Sequence, residues 1–224
     1  MMGGWGEYVA AWAVFLLSHM IPARPALRGR LVELMGRPGY LIAYSVLSAA
    51  IFIWLLYAAG RAPHVQLWPM PTWGPWFVLA AMTVAFALLV FGLFRPNPFS
   101  FGGSSGVYDP AQAGVLRITR HPILATALIW SLAHLVVNGD GAHVILFGGF
   151  ALFAVFGMVA LDMRNRRRMG EAAWAETIAA LHRAPLRPTG RTFLRALLVI
   201  VTVLVFVALH PWLAGIGIEH YFRP

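Results

Sequence analysis

The stretch WGPWFVLAAMTVAFALLVFGLF, Trp73–Phe94, runs from end to end without a charged residue. About 20 apolar residues in a helix span the roughly 30 Å hydrocarbon of a bilayer. An open strand in lipid would leave backbone N–H and C=O groups without partners, so a helix is the expected form. Comparable stretches recur on both sides. The sequence predicts six spans: Trp5–Ile21, Gly39–Ala59, Trp73–Phe94, His121–Val137, Ala142–Leu161 and Ala196–Leu213. The expected fold is an all-α integral membrane protein, a bundle of about six transmembrane helices in a single domain over residues 1–224.

Composition agrees. The chain is 60% hydrophobic and 11% charged, whereas a soluble domain carries about 25% charged residues. The net charge of +9 comes entirely from arginine, since the sequence has no lysine. In a soluble protein such a balance would suggest nucleic acid. Here the arginines fall between apolar stretches, so they read as membrane topology and exclude a nucleic-acid partner. The absence of cysteine excludes disulfides, iron–sulfur clusters, thiolate-ligated haem and c-type haem attachment. The N-terminal MMGGWGEYVAAWAVFLLSHM lacks a basic leader and a small-residue cleavage site, and reads as the first span.

Arginine placement orients the chain. Arg24, Arg28, Arg30 and Arg37 follow the first span, and Arg95, Arg117 and Arg120 follow the third. The fifth span is followed by a third group, from Arg164 to Arg195. Only Arg61 and Arg223 fall on the other side, so 15 of the 17 basic residues share one face. The positive-inside rule then puts the Arg-rich loops in the cytoplasm and both termini outside. Trp68, Trp73 and Trp76 sit at the depth of an outer aromatic belt. NPFSFGGSSGVYDP, Asn97–Pro110, reads as a flexible, turn-rich approach to the fourth span. Glu171–Leu181, with Trp174, Ile178 and Leu181 at helical spacing, reads as a short interfacial helix.

Ionisable side chains inside a span cost several kcal/mol unless partnered. His64, His143, His182, His210 and His220 fall near span ends, in loops or on the surface helix, where a structural role suffices. His19 and His134 lie within apolar sequence, and neutral imidazole is a common metal ligand. His121 and His134 cannot share one ion, because 13 residues of helix separate them by about 20 Å. The residues point to a bis-histidine metal or haem site that includes His19 and leave open whether His134 or His121 completes it. Arg24, Arg28, Arg117 and Arg120 gather at the same end, where they can hold haem propionates or another anion. Asp140 reads as a helix-end residue, and Asp162 as a salt-bridge residue beside Arg166. The sequence contains no Gly-rich phosphate loop, zinc-protease motif or serine elbow.

SHMIPARPALRGRL (Ser18–Leu31) and ITRHPILATALIWSLAHLVVNGD (Ile118–Asp140) resemble the NnrU family of bacterial membrane proteins, which is associated with denitrification. That family is similar in turn to the 15-cis-zeta-carotene isomerases, haem b proteins whose iron sits between two membrane histidines. The resemblance implies a multi-pass protein of the bacterial inner membrane, with haem b as cofactor and His19 and His134 as ligands. Arg24, Arg117, Arg120 and His121 are the accompanying cofactor-binding candidates. The isomerase motif Cys-Leu-Ala-His is matched by Ser131-Leu132-Ala133-His134, with serine in place of cysteine. Two other readings are carried. The RHP stretch is also similar to isoprenylcysteine carboxyl methyltransferase-like enzymes, which implies S-adenosylmethionine at Arg120 and His121, near Arg167 and Glu171. The other is a non-enzymatic accessory role beside nitric oxide reductase.

Overall fold

The computed structural model describes residues 4–21, 24–104, 106–186 and 191–215. Arg187, His220 and Arg223, which entered the topology and histidine readings, lie outside the described residues. Seven helices run through the described part: α1 Trp5–Met20, α2 Pro25–Arg61, α3 Gly74–Leu93, α4 Pro122–Val137, α5 Gly141–Met169, α6 Glu171–Arg183 and α7 Thr192–Ala214. Among these residues the one β feature is an isolated bridge between Gln66 and Asp140.

Every expected span falls on a helix. Four of them, α2, α3, α5 and α7, are long and apolar enough to cross a bilayer. α1 and α4 have 16 residues each, about 24 Å at 1.5 Å per residue, and are short of the roughly 30 Å hydrocarbon. α7 exposes Phe193, Ile200, Leu204 and Trp212 along its length. Apolar surface that extensive is unstable in water and suits lipid. The all-α membrane fold therefore holds.

α2 starts earlier than expected. Pro25 stands at its first position, where a missing N–H costs nothing. The residues that follow, Ala26–Met35, are mostly good helix formers, so much of the expected Arg24–Arg37 loop is helical. Gly36, at φ 70°, interrupts the helix two residues before Pro38. This backbone conformation is open to glycine and closed to most other residues.

The chain divides into two compact units. The first comprises Met1–Trp68 with Asp140–Leu146. In it α1 packs on α2, burying Tyr8, Ala11 and Phe15 on one stripe; α2 buries Tyr40, Ile51, Leu55, Ala58 and Ala59. The Tyr8 hydroxyl donates to the Ala142 carbonyl at 2.8 Å, which ties α1 to the start of α5.

The second unit comprises Pro69–Gly139 with Phe147–Pro224. α3 and α4 form an antiparallel pair with glycines where they approach most closely. A Cβ on Gly92 would lie 2.4 Å from Pro122 Cβ, and one on Gly74 would lie 2.6 Å from Val137 Cγ1. Small residues let helix backbones close up in this way in a membrane. The Thr126 hydroxyl spans the pair, donating to the Ala85 carbonyl at 2.9 Å. α7 packs on α3 through Phe86, Val90 and Val199.

The expected turn-rich approach, Asn97–Pro110, is anchored at Phe99, while Phe101–Ser104, Gly106, Val107, Asp109 and Pro110 are exposed. Phe99, Ala113, Val115 and Leu116 form a buried core with Leu181 and Ala184, and Trp174 and Ile178 of α6 pack against it. Asn97 holds the turn, its Oδ1 accepting from the Phe99 and Ser100 N–H groups and its Nδ2 donating to the Arg120 carbonyl. α6 forms where the sequence placed it, but its apolar side meets this loop.

Candidate functional site

His19 lies in the last turn of α1, in the first unit. Its Nδ1 is 2.8 Å from the Phe15 carbonyl one turn back. The ring lies against Phe15, centroids 4.3 Å apart, and edge-on to Tyr44 at 5.9 Å. His134 lies in the last turn of α4, in the second unit. Its Nδ1 is 2.8 Å from the Trp130 carbonyl, again one turn back. Its ring is flanked by Trp130 at 5.5 Å and Phe147 at 5.3 Å.

The two histidines are thus built alike. A carbonyl can only accept, so each Nδ1 carries the proton and the neutral ring's lone pair sits on Nε2. A second-shell carbonyl fixes the tautomer and orientation of metal-binding histidines and raises ligand basicity. The flanking aromatic rings restrict each imidazole further. In these respects the residues fit an imidazole-ligated metal group. Among the described residues no cluster of three or more His, Asp or Glu side chains is arranged to hold a metal ion by itself. Ser131 is fully buried, and its hydroxyl donates to the Ala127 carbonyl at 2.7 Å.

Arg24 is exposed at the N-cap of α2 and makes no ion pair among the described residues. The other candidates belong to the second unit, and two of them meet on one carboxylate. Arg120 donates through Nε and Nη2 to the two Asp162 oxygens. His121 Nε2 is 3.0 Å from Asp162 Oδ1. His121 is 3% exposed, and its Nδ1 is buried without a hydrogen-bond partner among the described residues. Asp162 thus pairs with residues about 40 positions earlier, while Arg166 pairs with Glu171. Arg117 donates to the Ala184 carbonyl at 2.8 Å. Beside the Asp162 knot lies a cavity of about 270 Å³, walled by Val159 and Met163 of α5 and Trp174 and Ile178 of α6.

Asp140 caps α5, as expected of a helix-end residue. It accepts from the Val65 N–H at 2.9 Å and from His143 Nδ1 at 2.9 Å. Burial works to raise its pKa, but these hydrogen bonds and the His143 N–H outweigh it and hold the carboxyl below its ordinary value.

These features define an all-helical membrane protein with two carbonyl-oriented histidines and a packed arginine-rich cap. A family model described as NnrU protein matches residues 7–218, and the chain belongs to the NnrU family. It is also similar to the 15-cis-zeta-carotene isomerase, chloroplastic, of Zea mays, at 31% identity over 90 residues. That match covers 38% of this chain and 25% of the maize protein, so the chain spans about a quarter of that relative's length. No solved structure matches.

Proposed function

We propose that the protein binds haem b through His19 and His134 and serves denitrification in the bacterial inner membrane. The observation that carries this reading is the repeated hydrogen bond from Nδ1 to the carbonyl one turn back, which gives both imidazoles the ligand tautomer. Haem b held by His19 and His134 would supply a one-electron couple. Phe15, Trp130 and Phe147 pack against the two rings and restrict their orientation. Arg24 suits an anionic edge of the group, because Arg117 and Arg120 would first have to leave Ala184 and Asp162. The double-bond chemistry named in the maize relative is the second setting for such a site. Ser131 favours the first, since a hydroxyl held on a backbone carbonyl is a poor substitute for a thiolate on iron.

The test is the absorbance spectrum of the detergent-purified protein, oxidised and dithionite-reduced, beside His19→Ala, His134→Ala and the control His64→Ala. The expected result is a sharp Soret and α-band in the native protein and the control, and their loss in the other two variants. Colourless protein from haem-replete cells, or bands that survive both substitutions, overturns the assignment.

A further inference from the structure

The end of α3 and the start of α7 bring together three guanidinium groups. The Arg195 Nη2 donates to the Phe94 carbonyl at 3.1 Å, and its guanidinium lies 6.0 Å from the Phe91 ring centroid. Arg95 is the next residue after Phe94 and is anchored on the Gln112 carbonyl. Arg191 is the N-cap of α7, one turn below Arg195, whose N–H it accepts. Arg95 and Arg191 each lie close enough to Arg195 to repel its charge. Among the described residues no carboxylate pairs with any of them, and the first turn of α7 has no acidic side chain. Carbonyl oxygens are weak compensation for full positive charges.

Apolar surface surrounds the cluster. Phe94 is 51% exposed, Phe193 82% and Leu194 64%. A ligand that satisfies both features carries negative oxygens at one end and hydrocarbon at the other. Guanidinium forks match phosphate oxygens through charge-assisted hydrogen bonds, and the unsatisfied N–H groups of the first α7 turn favour the same sign. We propose that Arg95, Arg191 and Arg195 form the headgroup site of an anionic phospholipid whose acyl chains lie along Phe94, Phe193 and Leu194. The assignment rests on α3 and α7 spanning a membrane and is independent of the haem reading.

The experiment follows the Tm of the full chain in a neutral detergent as dioctanoyl phosphatidylglycerol is added. Dioctanoyl phosphatidylcholine and inorganic phosphate are the comparisons. Phosphatidylglycerol at about a hundredfold excess over its Kd raises Tm by roughly 5–10 °C, and the rise saturates. The other two ligands at the same concentration leave Tm within about a degree. Arg95→Gln/Arg191→Gln/Arg195→Gln loses the response. Arg164→Gln/Arg167→Gln/Arg183→Gln, which removes the same charge elsewhere, keeps it. An equal rise with phosphatidylcholine or phosphate, no rise at all, or a rise that survives the first triple variant overturns the proposal. The three-ligand comparison on the unaltered chain stands even if a variant fails to fold.

Discussion

Asp162 accepts from two side chains at once. Its carboxylate takes the Arg120 guanidinium and the His121 ring, and the other nitrogen of the buried His121 has no hydrogen-bond partner among the described residues. Removing the acceptor leaves two polar groups with no replacement nearby. Hydrogen bonds to charged groups contribute about 1.5–3 kcal/mol each. Asp162→Ala should therefore cost at least about 2 kcal/mol, a fall in Tm of roughly 4–8 °C for a chain this size. The comparison is Glu171→Ala, which breaks the exposed pair with Arg166 and should move Tm by about a degree or less. Similar losses in the two would show that the Asp162 knot carries no special weight. Asp140 gives a pH test at the same scale. Its folded pKa lies below the ordinary value of 3.8, so its contribution is complete above that value and is lost as pH falls through the folded pKa. Melting curves from about pH 6 to pH 3 should show an acid limb in the native chain that is shallower in Asp140→Asn. Parallel limbs would assign acid sensitivity to other groups. The candidate site was legible to this extent: His19 and His134 stand out because imidazole is rare in apolar sequence. The partner of Asp162 did not, because local spacing pointed to Arg166 while tertiary packing delivered Arg120 and His121.

At the scale of elements, hydrophobic length placed every long helix, since nothing competes with a helix for an apolar stretch in lipid. It did not disclose the packing around Phe99, which comes from Asn97, Asn165 and a handful of buried residues with no period. Asn165 is 1% exposed and donates to the Phe99 carbonyl at 2.6 Å, a contact across 66 residues that no window detects. The α3–α4 pairing was also hidden, because glycine in a span reads equally as a weak helix former or a close contact. The geometry makes it a contact. Gly92→Ala places a methyl carbon 2.4 Å from Pro122 Cβ, and Pro122 is the residue that starts α4. Proline cannot rotate away, so the helices must separate, at about 1–3 kcal/mol for an overpacked core. The expected readout is a Tm lower by roughly 2–12 °C. Gly148→Ala, where the added methyl meets nothing within 4 Å, should be neutral or slightly stabilising by helix propensity. A stable Gly92→Ala beside a stable Gly148→Ala would refute close packing as the reason for Gly92.

At the scale of the whole molecule, the arginine distribution makes a claim about sidedness that the second unit can test alone. Met70 precedes α3 and is 40% exposed; Val107 lies in the loop beyond its other end and is 93% exposed. The 20 residues of α3 cover about 30 Å, a full hydrocarbon thickness. If α3 crosses, these two positions face different compartments. Arg95, Arg117 and Arg120 flank Val107 and no arginine lies between Arg61 and Arg95, so the positive-inside rule puts Val107 in the cytoplasm and Met70 outside. The chain has no cysteine, so a single Met70→Cys or Val107→Cys reports its own position without background. In a bacterial host a membrane-impermeant maleimide should label Met70→Cys in spheroplasts and Val107→Cys in inside-out vesicles. Reversed labelling would invert the topology while leaving the crossing intact. Labelling of both from one side would mean that α3 does not span, and the bilayer reading of this unit would fall with it.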